Sequence, residues 1–197
     1  MNKKIILASK SKVRKKILDF NGIDCSVEPA NIDEDIVKES LLKEGATPEI
    51  ISKNLAELKA NKVSNIRNGE IVLGADSVID LKGKIISKPL NRNEALNILK
   101  ELNGETHHLI SSVCISKNGF MIWHYTDKAT LTMKKMKENE LISYLKNIKD
   151  EALYSYNVYQ IEGEGKKLFS NIEGDEDTIM GLPVKKIKEY LKNINQY

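Results

Sequence analysis

One aspartate follows a short apolar run and two small residues. The run, residues 71–73, predicts a buried strand, and Gly74, Ala75, Asp76 and Ser77 come directly after it. Ligands of open α/β sheets bind at the carboxyl ends of strands, where this aspartate is predicted to lie. Asp76 could therefore hold a divalent cation or act as a base on a water molecule. The alternative is an aspartate that caps the next turn.

A second polar turn lies near the N-terminus and is basic. A predicted strand over residues 3–8 and a predicted helix over residues 12–20 flank Ser9 and Ser11, and Arg14 lies in the first turn of the helix. Free backbone N–H groups and the helix dipole favour an anion there, and Ser11 is placed to cap the helix. Seven lysines and arginines fall within the first 18 residues, whereas the whole chain carries +3, so the remainder is net acidic. These features indicate a site for phosphate or nucleic acid; the alternative is a capped helix with a solvated basic face.

Three further segments carry residues that could contact the same ligand. Lys88, beside Pro89, could balance Asp76 and a phosphate together, or could be a surface lysine. The acidic residues 33–35 could supply a second metal ligand, or could form a solvated loop. Residues 161–165 contain two glycines, which let the backbone approach a ligand closely.

Strands and helices that must position these residues alternate at first, and hairpins follow. The pattern predicts strands over 3–8, 25–28, 71–73, 78–81, 84–86, 108–116 and 120–133, a strand pair over 159–173, and helices over 12–20, 36–43, 48–66, 91–102, 138–146 and 184–193. In the longest helix, Ile51, Leu55, Leu58 and Val63 are predicted to face inward. The mixture predicts an α/β fold with a mixed sheet.

The composition excludes several classes of protein. Hydrophobic residues make up 41% and charged residues 30%, which is typical of globular chains and too apolar for a disordered one. The apolar runs are too short for a membrane span or a signal peptide, so a cytoplasmic protein is expected. Cys25 and Cys114 are far apart and are predicted to be reduced core residues. His107 and His108 are consecutive in a predicted strand, so their rings point to opposite faces and cannot share one metal.

Nine short segments, spread over almost the whole chain, follow one another in the order of a known family. They are ILASKSKVR at 6–14, IDE at 32–34, LAELKA at 55–60, GADS at 74–77, SKP at 87–89, LNGETH at 102–107, EGEG at 162–165, IEGD at 172–175 and GLP at 181–183. Together they resemble the signatures of the Maf family of nucleotide pyrophosphatases. Each match is weak alone, but nine in order are specific.

The resemblance implies a fold, an activity and a set of site residues. The fold would be a single Maf-like domain over residues 1–197, with a mixed sheet flanked by helices and two lobes around a deep central cleft, as in inosine-triphosphate pyrophosphatases. Members of the family use a divalent metal, Mg²⁺ or Mn²⁺, and hydrolyse a nucleoside triphosphate to a monophosphate and pyrophosphate. The resemblance implies that Asp76 is the general base and, with Glu34, a metal ligand. It also implies phosphate-binding roles for Ser9, Arg14, Lys59 and Lys88.

Three positions bear on the choice of nucleobase in that family, and they are Val13, Ser77 and Glu162 in this sequence. Members acting on pyrimidine triphosphates tend to have Arg, Thr and Gln there, whereas members acting on methylated guanosine triphosphate tend to have Trp, Gln and Glu. This chain fits neither class. The resemblance therefore implies the phosphate chemistry and leaves the base open.

The cellular role that the resemblance implies is the removal of non-standard or surplus nucleotides. The family's link to the arrest of septum formation gives an alternative, a regulatory protein that senses nucleotides without significant catalysis. A nucleic-acid binder is a third reading, but Asp76 and the acidic residues 33–34 would repel a polyanion unless a metal intervened. We expect a nucleoside triphosphate substrate and no stable nucleic-acid or membrane partner, and a homodimer is among the assemblies that the resemblance allows.

Overall fold

The computed structural model describes residues 4–150, 153 and 158–194. Its strands are β1 (Ile5–Leu7), β2 (Cys25–Val27), β3 (Val72–Leu81), β4 (Lys84–Ile86), β5 (Thr106–Lys117), β6 (Phe120–Met133) and β7 (Phe169–Glu173). They form one sheet in the order β2-β1-β3-β5-β6-β7, with β4 also paired to β3. The β1 strand runs parallel to β2 and β3, and the remaining pairs are antiparallel. The predicted α/β fold with a mixed sheet is confirmed; Lys3, the predicted start of the first strand, lies outside the described residues.

The helices begin at caps that the sequence supplies. They are α1 (Lys12–Phe20), α2 (Glu34–Lys43), α3 (Pro48–Ile66), α4 (Arg92–Leu102), α5 (Glu138–Asn147), α6 (Glu176–Ile179) and α7 (Val184–Ile194), with a 3₁₀ helix over Glu164–Leu168. Ser11 caps α1 as predicted, and Thr47 caps α3 with Pro48 in its first turn. The predicted bounds of α1 and α3 are confirmed. The α2 helix begins two residues before its predicted start, because Asp33 accepts a hydrogen bond from the N–H of Ile36 and caps it.

The predicted strand pair over residues 159–173 is wrong in its first half. Only Phe169–Glu173 is a strand, and a turn and the 3₁₀ helix precede it. The chain doubles back tightly there, since a β-carbon on Gly165 would lie 2.6 Å from the amide nitrogen of Gln160. These glycines therefore permit a compact loop, not a pair of extended strands.

Asp76 lies in the middle of a strand, not at a carboxyl end as predicted. The predicted strands over 71–73 and 78–81 are parts of the single strand β3. They merge because β5 pairs antiparallel with β3 along residues 72–80 and so holds the intervening residues extended.

The other edge of β3 is interrupted beside Asp76. There, β1 pairs only with residues 72 and 73, and β4 pairs only with residues 79–81. A gap therefore opens in the sheet along residues 74–78, with Asp76 at its centre. The gap gives Asp76 the access to ligands that a strand end was expected to give.

The long helix α3 lies unusually close to β3. A β-carbon on Gly74 would overlap the carbonyl oxygen of Ala56 and would lie 2.7 Å from the amide nitrogen of Ala60. Real β-carbons do not approach other atoms so closely, so this contact requires glycine at position 74 and small residues on the helix.

One position on the inward face of α3 was predicted incorrectly. Ile51, Leu55 and Val63 are buried as predicted, but Leu58 is 39% exposed. The four-residue spacing from Ile51 to Val63 instead includes Lys59, which is only 6% exposed. The helix thus buries a lysine on the face that packs against β3.

Two clusters of buried apolar residues lie on either side of the gap. One includes Leu73 and Ala75 of β3 together with residues of β1, α1 and α7, and the other includes Ile79 of β3 together with residues of β4, α4 and α5. Cys25 and Cys114 are buried free thiols, as predicted. Among the described residues, no helix is long and apolar enough to cross a membrane.

Replacing Gly74 tests the close contact of α3 with β3. Gly74→Ala should destabilise the fold by about 1–3 kcal/mol, because the added methyl group meets helix backbone that cannot rotate away. Guanidinium denaturation followed by circular dichroism measures the change. The matched control is Gly163→Ala, whose β-carbon would meet only the Gln160 carbonyl oxygen, at 4.0 Å. Equal denaturation midpoints for the two variants would show that the helix can shift without cost.

Candidate active site

Two adjoining hollows form a cleft at the gap in the sheet. The larger, of about 410 Å³, is lined by the turn at residues 8–12, the loop at residues 29–32 and the side chains of Lys59 and Lys88. The smaller, of about 170 Å³, includes Asp76 in its wall. The two share Ser11, Arg14, Glu34 and Lys88 as lining residues, so one elongated ligand can extend through both.

A buried lysine joins two carboxylates between the hollows. The Nζ atom of Lys59 lies 2.8 Å from Oδ1 of Asp76 and 2.9 Å from Oε1 of Glu34. Burial raises the pKa of Asp76, and the attraction of Lys59 offsets only part of that rise. Burial would also raise the pKa of Glu34, but the attraction of Lys59, with smaller contributions from Lys38 and Arg14, brings that pKa below its usual value. The pair of carboxylates therefore differs in basicity, with Asp76 the stronger base.

One oxygen of Asp76 has no partner. The Oδ2 atom is buried and accepts no hydrogen bond from any described residue. The main chain of Asp76 is fixed as well, because the Ser52 hydroxyl of α3 donates to its carbonyl oxygen at 3.1 Å. An unpartnered carboxylate oxygen in a buried, rigid position is costly unless a ligand, a proton or a water molecule meets it.

Arg14 spans the gap on the opposite side of β3 from Lys59. Its Nη1 donates to the Ala75 carbonyl oxygen at 2.9 Å and to Ser9 Oγ at 3.2 Å. Its Nη2 donates to Ser77 Oγ at 3.0 Å, and its Nε donates to the Gly181 carbonyl oxygen at 2.9 Å. Arg14 therefore ties α1, β3 and the segment before α7 together, and it presents a positive charge to both hollows.

The serine turn and Lys88 complete the basic wall of the larger hollow. Ser11 caps α1 by accepting from the N–H of Arg14 at 3.3 Å, and the N–H of Ser11 donates to Ser9 Oγ at 3.3 Å. Lys88 is exposed and, among the described residues, makes no hydrogen bond or ion pair. Partial burial against the cleft wall lowers the pKa of Lys88, and repulsion from Arg14 adds to the shift. Lys88 is thus a cation whose charge is available to a ligand.

The smaller hollow brings together the three positions expected to read a nucleobase. Val13, Ser77 and Glu162 all line it, although they come from α1, β3 and the loop before the 3₁₀ helix. Glu162 is exposed at its rim. The other residues that line this hollow divide between charged or polar ones, several of them shared with the larger hollow, and apolar or aromatic ones that include Ile79, Ile85, Leu109, Ile161, Ile179 and Tyr159. The composition of this wall suits a planar, mostly apolar group with a polar edge.

Two residues of the site were missed at the sequence level. Ser111 is fully buried on β5, and its hydroxyl contacts Ser77. Tyr159 is buried, and its hydroxyl lies 2.9 Å from Nε2 of His107. Consecutive serines at 111 and 112 inside an otherwise apolar strand were the available signal for the first, since buried hydroxyls need partners. Tyr159 gave no comparable signal.

The two consecutive histidines lie apart, as predicted. His107 is fully buried beside Tyr159 and Phe169, whereas His108 bonds Thr130 from the other face of β5. Within the described part of the chain, no three His, Cys, Asp or Glu side chains converge on a point that could hold a metal. The two carboxylates that Lys59 joins, Asp76 and Glu34, both line the smaller hollow.

Comparisons with known proteins show the family of this chain and its fold. A family described as Maf-like protein matches residues 4–194. The chain is 74% identical over 194 residues to a nucleoside triphosphate pyrophosphatase of Pelagibacter ubique, covering 98% of this chain and 100% of that one. It is 38% identical to a 7-methyl-GTP pyrophosphatase of Rhizobium etli, covering 93% of this chain and 92% of the other. A HAM1 protein from Coxiella burnetii shares the fold, with a TM-score of 0.51, 10% identity, and coverage of 99% and 100%.

The buried imidazole of His107 predicts how stability depends on pH. Burial, with a smaller contribution from His108, lowers the pKa of His107 from 6.5 to about 4. Below pH 6.5, His107 therefore binds a proton in the unfolded chain but stays neutral in the folded chain. The free energy of unfolding should fall as the pH drops from 6.5 towards 4, by up to roughly 3 kcal/mol. Urea unfolding measured across this pH range should show that the free energy of unfolding falls more steeply for the native sequence than for His107→Gln. Parallel curves for the two proteins would contradict this assignment.

Proposed function

The chain belongs to the Maf-like protein family, and from this premise we propose that it is a nucleoside triphosphate pyrophosphatase. The reaction would cleave the bond between the α- and β-phosphates and give a nucleoside monophosphate and pyrophosphate. The observation that carries the proposal is the buried carboxylate of Asp76, whose Oδ2 has no partner among the described residues and which lies beside a basic hollow.

The larger hollow supports a triphosphate site. Lys10, Lys12, Arg14, Lys59 and Lys88 line it, and Glu34 is the one acidic residue among its described lining residues. Charge that builds on a leaving pyrophosphate is stabilised by cations held in place before the reaction. Ser9 would add a hydroxyl at the turn that opens α1. We assign phosphate binding to Ser9, Arg14, Lys59 and Lys88.

Asp76 is the proposed general base. Its raised pKa makes it a better proton acceptor than an ordinary carboxylate, and Lys59 fixes Oδ1 so that Oδ2 is the atom left to meet a water molecule. Asp76 would take the proton of a water molecule as that water attacks phosphorus. Arg14 and Lys88 would offset the charge on the departing phosphates.

A divalent cation fits the donor set of this site. Mg²⁺ and Mn²⁺ are commonly held by one or two carboxylates and complete their shell with water and substrate phosphates, so a full protein cage is not required. Asp76 and Glu34, the two carboxylates that Lys59 joins, would hold the cation. When bound, the cation would neutralise phosphate charge and lower the pKa of a nearby water molecule.

The smaller hollow is the proposed nucleoside site, in which Val13, Ser77 and Glu162 would discriminate between bases. The two buried clusters on either side of the gap support a single domain over residues 1–197 with two lobes around the cleft. In the cell, we propose removal of non-standard or surplus nucleotides in the cytoplasm, by a protein that can form a homodimer. No feature of the described residues favours the alternative of a nucleotide sensor without catalysis.

The activity can be tested with a nucleotide panel in the presence of Mg²⁺ or Mn²⁺. Phosphate would be detected with malachite green, with and without added inorganic pyrophosphatase. Signal that requires the coupling enzyme supports pyrophosphate release, whereas signal without it indicates a phosphatase. Silence across the panel would overturn the proposal.

Asp76→Asn tests the general base. The substitution keeps the size and removes the charge, so turnover should fall by ~10²-fold or more. The matched control is Asp80→Asn on the same strand, where the carboxylate accepts only the Gly83 N–H of the hairpin turn. Near-normal turnover of a folded Asp76→Asn protein would exclude the assignment.

Replacing the lysines should separate phosphate binding from structural support. Lys88→Ala should weaken every triphosphate similarly, by roughly 1.5–3 kcal/mol, and leave stability unchanged, because no described residue depends on its charge. Lys59→Ala should weaken binding and also destabilise the fold by roughly 3–5 kcal/mol, since it leaves two carboxylates without their partner. Arg14→Ala should likewise weaken triphosphate binding and destabilise the fold. Lys84→Ala on neighbouring β4 is the charge control, and a Lys88→Ala protein that changed base preference with little general loss would contradict the assignment.

A further inference from the structure

A closed circuit of hydrogen bonds forms the polar side of the nucleoside hollow. It runs from Arg14 to Ser77, from Ser77 to Ser111, and from Ser111 to the Thr178 carbonyl oxygen, with distances of 3.0, 2.8 and 2.8 Å. The same Thr178 oxygen accepts from the Gly181 N–H at 3.0 Å, and the Gly181 carbonyl oxygen accepts from Arg14 Nε at 2.9 Å. The circuit joins β3, β5 and the α6–α7 segment.

The chemistry of the partners fixes the direction of each proton in this circuit. A carbonyl oxygen can only accept, so Ser111 uses its single hydroxyl proton to donate a hydrogen bond to the Thr178 carbonyl oxygen. The bond between Ser77 and Ser111 must then be donated by Ser77. A guanidinium can only donate, so Ser77 also accepts from Arg14. Ser77 has therefore committed its proton and one lone pair, and it can offer a ligand only an acceptor.

The circuit is held in place from the far side. Ser111 and Thr178 are both fully buried. The Thr178 hydroxyl donates to Asp127 Oδ2 of β6 at 2.6 Å. This second contact holds Thr178 in place, so that its carbonyl oxygen stays directed at Ser111. Of the two described partners of Ser111, Ser77 can supply a proton and the Thr178 carbonyl oxygen cannot, so the arrangement that satisfies both contacts has the Ser111 hydroxyl donating to Thr178.

We propose that Ser111 is a positioning residue for base selection. Because Ser111 accepts a hydrogen bond from the Ser77 hydroxyl, Ser77 presents only an acceptor to the nucleoside hollow. The proposal rests on the nucleotide-hydrolase function proposed above. An acceptor favours a base edge that carries an amino group and disfavours one that carries a carbonyl. Cytosine and uracil differ in this way at one position, where cytosine has an amino donor and uracil a carbonyl acceptor. Glu162 at the rim is a second acceptor, so the two polar groups act in the same direction.

Removing the Ser111 hydroxyl should free the Ser77 proton for the ligand. We therefore expect Ser111→Ala to shift the ratio of the Kd values for cytidine and uridine triphosphate in favour of uridine by about 3- to 10-fold, the range of one neutral hydrogen bond. Calorimetric titration with the α,β-methylene analogues in the presence of Mg²⁺ measures this ratio without turnover. If the alanine variant fails to fold, Ser111→Cys takes its place. It keeps the volume and replaces the hydroxyl with a weak acceptor, so it should shift the ratio of Kd values in the same direction.

A double-mutant comparison separates this role from simple packing. In a Ser77→Ala background, Ser111→Ala should leave the ratio unchanged, because the group through which it acts is gone. Ser116→Ala is the matched control, since Ser116 is a fully buried hydroxyl on the same strand that donates to Asn61 outside the nucleoside hollow. It should leave the ratio unchanged in either background.

Three results would overturn the inference. They are an equal change in both Kd values in Ser111→Ala, a shift that persists in the Ser77→Ala background, and a similar shift in Ser116→Ala. If the unaltered protein releases pyrophosphate while one of these results is found, only the role of Ser111 fails. If the unaltered protein neither binds the analogues nor releases pyrophosphate, the proposed function fails and the role of Ser111 fails with it.

Discussion

The structure of the cleft depends on one buried ammonium group held between two carboxylates. Burying an ion costs several kcal/mol unless an opposite charge meets it, and the buried Lys59 is met by the buried Asp76 and by the partly exposed Glu34. Because the three come from α3, β3 and the first turn of α2, their pairing fixes those elements relative to one another. Gly74 is the local consequence, since only a glycine lets the helix come close enough to β3. Within the part of the chain that the structure describes, the buried Oδ2 of Asp76 accepts no hydrogen bond.

The gap in the sheet imposes a second constraint, because it leaves carbonyl oxygens of β3 without a neighbouring strand. Arg14 supplies a hydrogen-bond donor there. A strand edge carries carbonyl oxygens that need donors, and β1 stops supplying them after its bond from the Ala8 N–H to the Leu73 oxygen. The guanidinium of Arg14 then donates to the Ala75 oxygen, where the next amide of a longer strand would have donated. An interrupted sheet thus becomes a site that is open to ligands while its backbone stays paired. The same arginine holds the cleft together and, in the proposed reaction, would carry charge to the phosphates from the same position.

The errors at the sequence level have a common physical origin. Leu58 was expected to face inward, yet it is 39% exposed, and its neighbour Lys59 is buried and paired with two carboxylates. Residues 159–168 were expected to be extended, as part of a strand pair punctuated by glycines, yet Gly165 packs against the backbone of Gln160. Asp76 was expected after a strand, yet β5 extends that strand through it. Each outcome depends on a partner distant in the sequence.

Local patterns therefore determined much of this protein. The caps and apolar spacing set α1 and α3, the alternation of element types set the mixed α/β class, and the identity and order of nine short segments indicated the phosphate chemistry and the residues for it. These signals act over a few residues, so they survive without knowledge of the fold. The tertiary structure alone decided where β1 and β4 stop along β3, which oxygen of Asp76 has no partner among the described residues, and which side chains meet Ser77. Those features are set by contacts between residues far apart in the chain, and no local pattern encodes them.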